Sequence, residues 1–320
     1  MGETRADEVF LEHDTEIELF TKNAELICSD DYLAICSSET PVQLYSLPDL
    51  KLLTSYGSLG PGPEEFLLPS VSFLGDKKIG VNDLKNQSLS ILAIHEEKDS
   101  LHLAMEKRLV SDEKRQNSVR SFIRVGDSHY AGVIAQKSGE FFALADSSLH
   151  TEGYFGESPV DDPLLGPYSS RQRLGNCRLA SWGDSFVYSV KDLPYLAKYH
   201  LEDGAMKKDW SLFFDKTYFE VKNGDLLFNK DRTFGQVMAV QMDEDYIYVL
   251  YLDQLVSEYD YSNPEKSEAN RILVFNHLGE QVSVMKLDTR ISRMALNRKK
   301  KCLFGIARIP EPTLIKFELH

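Results

Sequence analysis

One pattern recurs six times along the chain: a tight polar turn followed at once by a short apolar run. Gly75-Asp76 precedes KKIGV, Gly126-Asp127 precedes SHYAGV and Gly183-Asp184 precedes SFVYSV. Asp30-Asp31 precedes YLAI, Asp243-Glu244-Asp245 precedes YIYVL, and Lys299 to Lys301 precedes CLFGI. Anchored on Leu33, Ile79, Ala131, Val187, Ile247 and Leu303, the steps are 46, 52, 56, 60 and 56 residues. Between anchors the chain reads as alternating apolar runs split by Gly, Asp, Asn and Pro, with almost no 3.6-residue period. A period near fifty with four short strands per unit describes a propeller blade rather than a solenoid coil. The expected fold is all-β: a single six-bladed β-propeller of four-stranded blades spanning residues 1–320.

The units place blades at 23–58, 71–109, 119–158, 175–214, 235–288 and 291–319. The last supplies only three strands, RMAL, CLFGI and LIKFEL. The N-terminal EVFLEH or EIELF segment is spare and strand-like, and is expected to complete that blade as its outer strand. Such closure removes two open edges that would otherwise template aggregation.

With strands lettered a to d from centre to rim, up-and-down connectivity sorts the loops. Connections a–b and c–d lie on one face, and b–c and d–a lie on the other. The Gly-Asp turns fall on the first face. The stretch Gly57 to Pro69, GSLGPGPEEFLLP, holds three Gly and three Pro and is a d–a crossover. Three long interruptions share its face: Pro159 to Leu174, Asp215 to Phe234 (with a hairpin expected at Asn223-Gly224) and Asp253 to Ala269. Long loops in compact domains are usually functional or disordered. The ligand-binding candidates are therefore their aromatic and arginine residues: Tyr168, Arg171, Arg173, Tyr218, Arg232, Tyr259 and Tyr261. Tyr and Arg give contact area together with directed hydrogen bonds.

The formal net charge of −14 argues against nucleic acid and against an anionic membrane surface. The only strong basic run, Arg298 to Lys301, reads as a solvated turn. The four cysteines lack CxxC spacing and read as buried small hydrophobes. The eight histidines show no HExxH and no metal spacing, so no metal and no cofactor are expected. Gly57, Gly60 and Gly62 lack the Lys-Ser/Thr of a phosphate loop, and Glu64-Glu65 would repel phosphate. No G-x-S-x-G elbow occurs, and no catalytic residue stands out. No run of eighteen apolar residues occurs, so no transmembrane helix is expected. Met1 to Arg5 leads into acidic residues rather than a signal peptide. The chain is then either cytoplasmic or the mature part of an exported protein.

Gly57 to Phe66 carries G-x-x-G-x-G-P-x-E-F, which resembles the TolB-like six-bladed propellers of bacteria and is reminiscent of NHL-repeat propellers. Gly139 to Asp146 (GEFFALAD), Gly153 to Pro159 (GYFGESP), Tyr246 to Tyr251, Ile272 to Gly279 and Ile291 to Leu296 extend the likeness over nearly the whole chain. The resemblance implies a periplasmic or lipoprotein location in the cell envelope and no established activity. The expected function is a monomeric binding or scaffold propeller that recognises a protein or glycan on the long-loop face. The alternative is a propeller lyase or hydrolase. That reading requires charged residues from several blades to converge at the channel mouth.

Overall fold

The structure, a computed structural model, describes residues 7–19, 24–37, 39–75, 77–83, 85–86, 88–98, 100–110, 119–134, 140–166, 174, 176–308 and 311–319. Its six main sheets form a six-bladed β-propeller. The innermost strands are Glu25–Cys28, Pro69–Phe73, Val119–Val125, Cys177–Trp182, Phe234–Met242 and Arg293–Asn297, in blades 1 to 6. Each touches the next, and the last touches the first, so the ring closes.

Strand composition follows position in the blade. A b strand is covered by blades on both sides, so its apolar residues run on without alternation. Cys302–Ala307 is buried at every position, as is Tyr246–Leu255 from Ile247 to Leu252. At the rim, Ala205–Phe213 shows a strand open to water at most positions. The hydrophobic cores lie between blades. Phe142, Phe155, Phe186 and Tyr188 fill the seam of blades 3 and 4. Phe66 is fully buried among Val42 and Leu44 of blade 1 and Ile79, Val81 and Leu92 of blade 2.

The crossover that delivers Phe66 is stitched locally. Ser58–Leu59 pairs in parallel with Glu65–Phe66. The Glu65 carboxylate accepts from the Gly62 amide at 2.8 Å. It also packs over Gly60, whose φ of +155° leaves no room for a side chain facing that carboxylate. The place where a glycine-rich loop would cradle a phosphate is thus filled by the chain's own anion. Asp83 accepts from the amides of Leu67 at 2.8 Å and Leu68 at 3.1 Å and anchors the far end.

The N-terminal segment closes the ring and does more than complete one blade. His13–Glu18 pairs antiparallel with Thr313–Glu318 as the outer strand of blade 6. Asp7–Leu11 runs on as a parallel fifth strand on Gln281–Ile291 of blade 5. One segment therefore clasps two blades, because EVFL and HDTEIE are separate strands on either side of Glu12. Leu11 is buried in the core between blades 5 and 6.

His13 pins the crossing point. Its backbone amide donates to Asp288 at 3.1 Å, and its ring nitrogens meet Asp288 Oδ2 at 2.7 Å and Glu16 Oε1 at 2.8 Å. Burial opposes the imidazolium, but the hydrogen bonds and charges of Asp288 and Glu16 outweigh it, and the pKa rises above the ordinary 6.5. A raised folded pKa means stabilisation that is complete below 6.5 and is lost as pH climbs through the raised value. Protection factors of the 7–18 amides, corrected for intrinsic exchange, are expected to fall across that window. A His13→Gln protein should show no such step, and a flat profile in the parent chain would refute the pH-dependent clasp.

Candidate functional site

Every long described connection opens on one face. The d–a segment 214–233 carries the hairpin Phe219–Lys222 with Asp225–Phe228. Its turn has φ of +55° at Asn223 and +84° at Gly224. Two consecutive positive φ values are the type I′ geometry that an Asn-Gly pair adopts at low cost. The hairpin is not free-standing. The Gly166 amide donates to Gly224 O at 2.8 Å, joining the insertion to the d–a loop before blade 4. Val256 donates to Thr233 O at 3.0 Å and Ser257 to Lys230 O at 3.1 Å, joining it to the b–c loop of blade 5.

The sequence candidates divide into two groups. Arg232 stacks on Tyr218 at 4.0 Å within the 214–233 insertion. Tyr259 lies beneath Lys191 at 5.5 Å, and Tyr261 beneath Arg308 at 5.1 Å. Tyr168, Arg171 and Arg173 lie outside the described residues. Arg308 also donates through Nε to the buried Glu268 at 2.5 Å. Arg290 donates to Glu268 O at 3.0 Å. This network ties the blade 5 b–c loop to blade 6.

Below this face the inner strands of all six blades line a central channel of about 680 Å³. An innermost strand begins where the d–a loop delivers it, so its first residues stand at the long-loop mouth. There the structure places Glu25 of blade 1, Arg178 of blade 4 and Arg293 of blade 6, all lining the channel. These residues carried no local motif. Their only signal in the sequence was a charge at the start of an a strand, which a closed ring turns inward.

The cluster is electrostatically tense. Burial pushes the Glu25 carboxyl up, against Arg293, the Val71 amide and Arg178, which pull it down less strongly. Burial and the Arg293 charge depress the Arg178 guanidinium, partly offset by Glu25, Cys177 and Asp192. Burial also lowers the Lys191 pKa; Asp192 opposes this, while Arg178 and Arg293 add to it. Burial raises the Tyr259 hydroxyl pKa, while Arg308 and Arg293 draw it down. Tyr259 thus lies within electrostatic reach of Arg293 at the channel mouth. The enzyme reading required charged groups from several blades, and the channel is not lined by apolar residues alone.

Two other expectations change here. Cys28 and Cys177 are half-buried and line the channel, although Cys36 and Cys302 are buried as expected. Burial pushes the Cys177 thiol to about 12, so it stays protonated and a poor nucleophile. In the basic run, Lys299 and Lys301 lie at the surface near Asp31 and Asp245. Arg298 is not solvated in the same way. It turns into the channel, donates to Met242 O at 2.7 Å and Ser181 O at 2.6 Å, and stacks on Trp182 at 4.9 Å. The backbone carbonyls of two neighbouring blades draw it inward.

The fold and this face define a β-propeller with one elaborated side. No protein-family model matches the chain, and no curated protein matches it. Among solved structures, BamB from Moraxella catarrhalis aligns at 11% identity over 92% of this chain and 69% of its own, with a TM-score of 0.43. The β-propeller domain of Cps50 (Swd1) from Myceliophteria thermophila aligns at 9% identity over 93% and 83%, with a TM-score of 0.49. Raptor from Chaetomium thermophilum aligns at 11% over 95% of this chain and 28% of its own, with a TM-score of 0.48. Likeness at this level says nothing about ligand or activity. Among the described residues no helix is long and apolar enough to cross a membrane.

Proposed function

We propose that this propeller is a monomeric recognition module of the bacterial cell envelope, related to the TolB-like propellers, that captures a protein or glycan partner on its long-loop face. One observation carries the reading: the insertions on that face are braced against one another while they hold apolar side chains in water. Leu164 is 69% exposed, Tyr261 60%, Leu227 41% and Phe219 39%. Rigid, exposed apolar groups rimmed by Arg and Lys are what a recognition surface needs, because little ordering entropy remains to be lost on binding. The Tyr218–Arg232 stack and Tyr259 supply the polar anchors.

The test is capture from separate envelope and cytosolic fractions of a bacterial lysate. A Phe219→Ala, Arg232→Ala, Tyr259→Ala protein is expected to lose a partner that the parent chain takes from the envelope fraction, by more than about tenfold in affinity. Lys299→Ala, on the opposite face, is expected to leave capture unchanged. Undiminished capture by the triple variant would remove the long-loop face from consideration. A partner found only in the cytosolic fraction would remove the envelope placement.

A further inference from the structure

We propose that the long-loop mouth of the central channel binds a carboxylate-bearing small molecule between the guanidinium groups of Arg178 and Arg293. The cavity of about 680 Å³ beneath them has the size of a small-molecule site. The two arginines enter it from different blades, so only the closed ring brings them together.

The opposite end of the same channel provides an internal comparison. There Arg298 reaches across to carbonyls of blades 4 and 5 and stacks on Trp182, so its guanidinium is engaged as a structural strut. At the long-loop mouth the donors are not engaged in this way. Arg293 makes one hydrogen bond, from Nη1 to Ser292 O of its own chain neighbour at 2.9 Å. Arg178 uses Nε on Met238 O at 2.9 Å and Nη1 on Asn176 Oδ1 at 3.0 Å. It also makes a long contact from Nη1 to Cys177 O at 3.4 Å. Among the described residues, Arg178 Nη2 and Arg293 Nε and Nη2 have no hydrogen-bond partner. A guanidinium carries five N–H donors in a planar fork, and Arg178 and Arg293 line the channel with donors to spare for a ligand.

The charges point the same way. Arg178, Arg293 and Glu25 line the channel at this mouth, and each arginine stabilises the Glu25 carboxylate. Two cations facing one carboxylate leave one positive charge, in a chain whose net charge is −14. A ligand with a single negative charge completes the balance. A carboxylate also matches the planar fork of a guanidinium in bidentate fashion. A phosphate dianion would overshoot the balance in a channel that Glu25 also lines. The shared chemistry is therefore a carboxylate, carried by an acidic sugar or by a peptide-like acid.

The pocket rests on the recognition reading only for the mouth by which the ligand enters. Titration calorimetry with glucuronate, N-acetylglycine, N-acetylglycinamide and inorganic phosphate tests it directly. Binding of either carboxylate, with the amide and phosphate weaker, is expected, and the preferred carboxylate tells a sugar source from a peptide source. Arg293→Met should weaken that carboxylate by more than about tenfold, since a charge-assisted bond is worth about 1.5–3 kcal/mol. Glu25→Gln, which removes a like charge, should tighten it. If Arg293→Met does not fold, Arg293→Lys takes its place and is expected to give an intermediate loss. No carboxylate binding, equal binding of the amide, a preference for phosphate, or affinity unmoved by the Arg293 and Glu25 variants would overturn the proposal. Intact partner capture without carboxylate binding would overturn the pocket alone. Carboxylate binding without partner capture would leave the pocket standing.

Discussion

Removal of the chain up to Glu18 is expected to lower the melting temperature by roughly 5–9 °C and to make the protein associate. Two buried leucines set the scale. Leu11 is 4% exposed in the core between blades 5 and 6, and Leu19, 7% exposed, joins the core of blades 6 and 1. Truncation removes the first and frees the second. At about 1.5–3 kcal/mol for each buried leucine, the loss is about 3–6 kcal/mol. For a chain of this size each kcal/mol moves the midpoint by about 1.5 °C, so the shift comes to roughly 5–9 °C. Truncation also strips two edges, those of Thr313–Glu318 and Gln281–Ile291, which now pair with the N-terminal strands. Unpaired edges recruit other chains. Calorimetry and light scattering across a concentration series read both effects. A truncated chain that melts with the parent and stays monomeric would show that the clasp does not hold the ring.

Phe142→Ala is the second large effect, expected to cost about 3–5 kcal/mol. Phe142 has no exposed surface and sits at the centre of the seam between blades 3 and 4. Its ring lies 4.8 Å from Tyr188, 5.1 Å from Phe186 and 5.3 Å from Phe155, centroid to centroid, with the first two edge-on. Truncation removes the shared partner of three rings, and the backbones of two sheets prevent their collapse into the space. The same ring also packs where a side chain at Gly156 would have to go, at 2.3 Å from a Cβ there. Urea unfolding should show a lower midpoint at unchanged slope. A loss below about 1 kcal/mol would mean that the seam relaxes around the cavity, contrary to close packing between blades.

Legibility in the sequence followed the range of the interaction. The b strands were visible because covering both faces of a strand demands an unbroken apolar run, as in Cys302–Ala307. The Asn223-Gly224 hairpin was visible because positive φ at two adjacent residues is a property of those residues alone. The crossover from Gly57 to Pro69 was readable from its density of Gly and Pro, which excludes helix and regular strand. The clasp was legible only in part. A spare strand was evident, but its division into Asp7–Leu11 on blade 5 and His13–Glu18 on blade 6 depends on the distance between two rims.

The channel was not legible. Glu25, Arg178 and Arg293 are separated by more than a hundred residues and obey no spacing rule. Arg298 and Lys299 are adjacent in one basic run, yet one crosses the channel and the other meets water near Asp31. By itself the sequence determined the blade count, the closure by the N-terminus and the face that carries the long loops. Those depend on strand period, turn chemistry and connectivity, which are local. Only the tertiary structure decided which charges meet at the channel mouth, because six strand ends become neighbours only when the ring has closed.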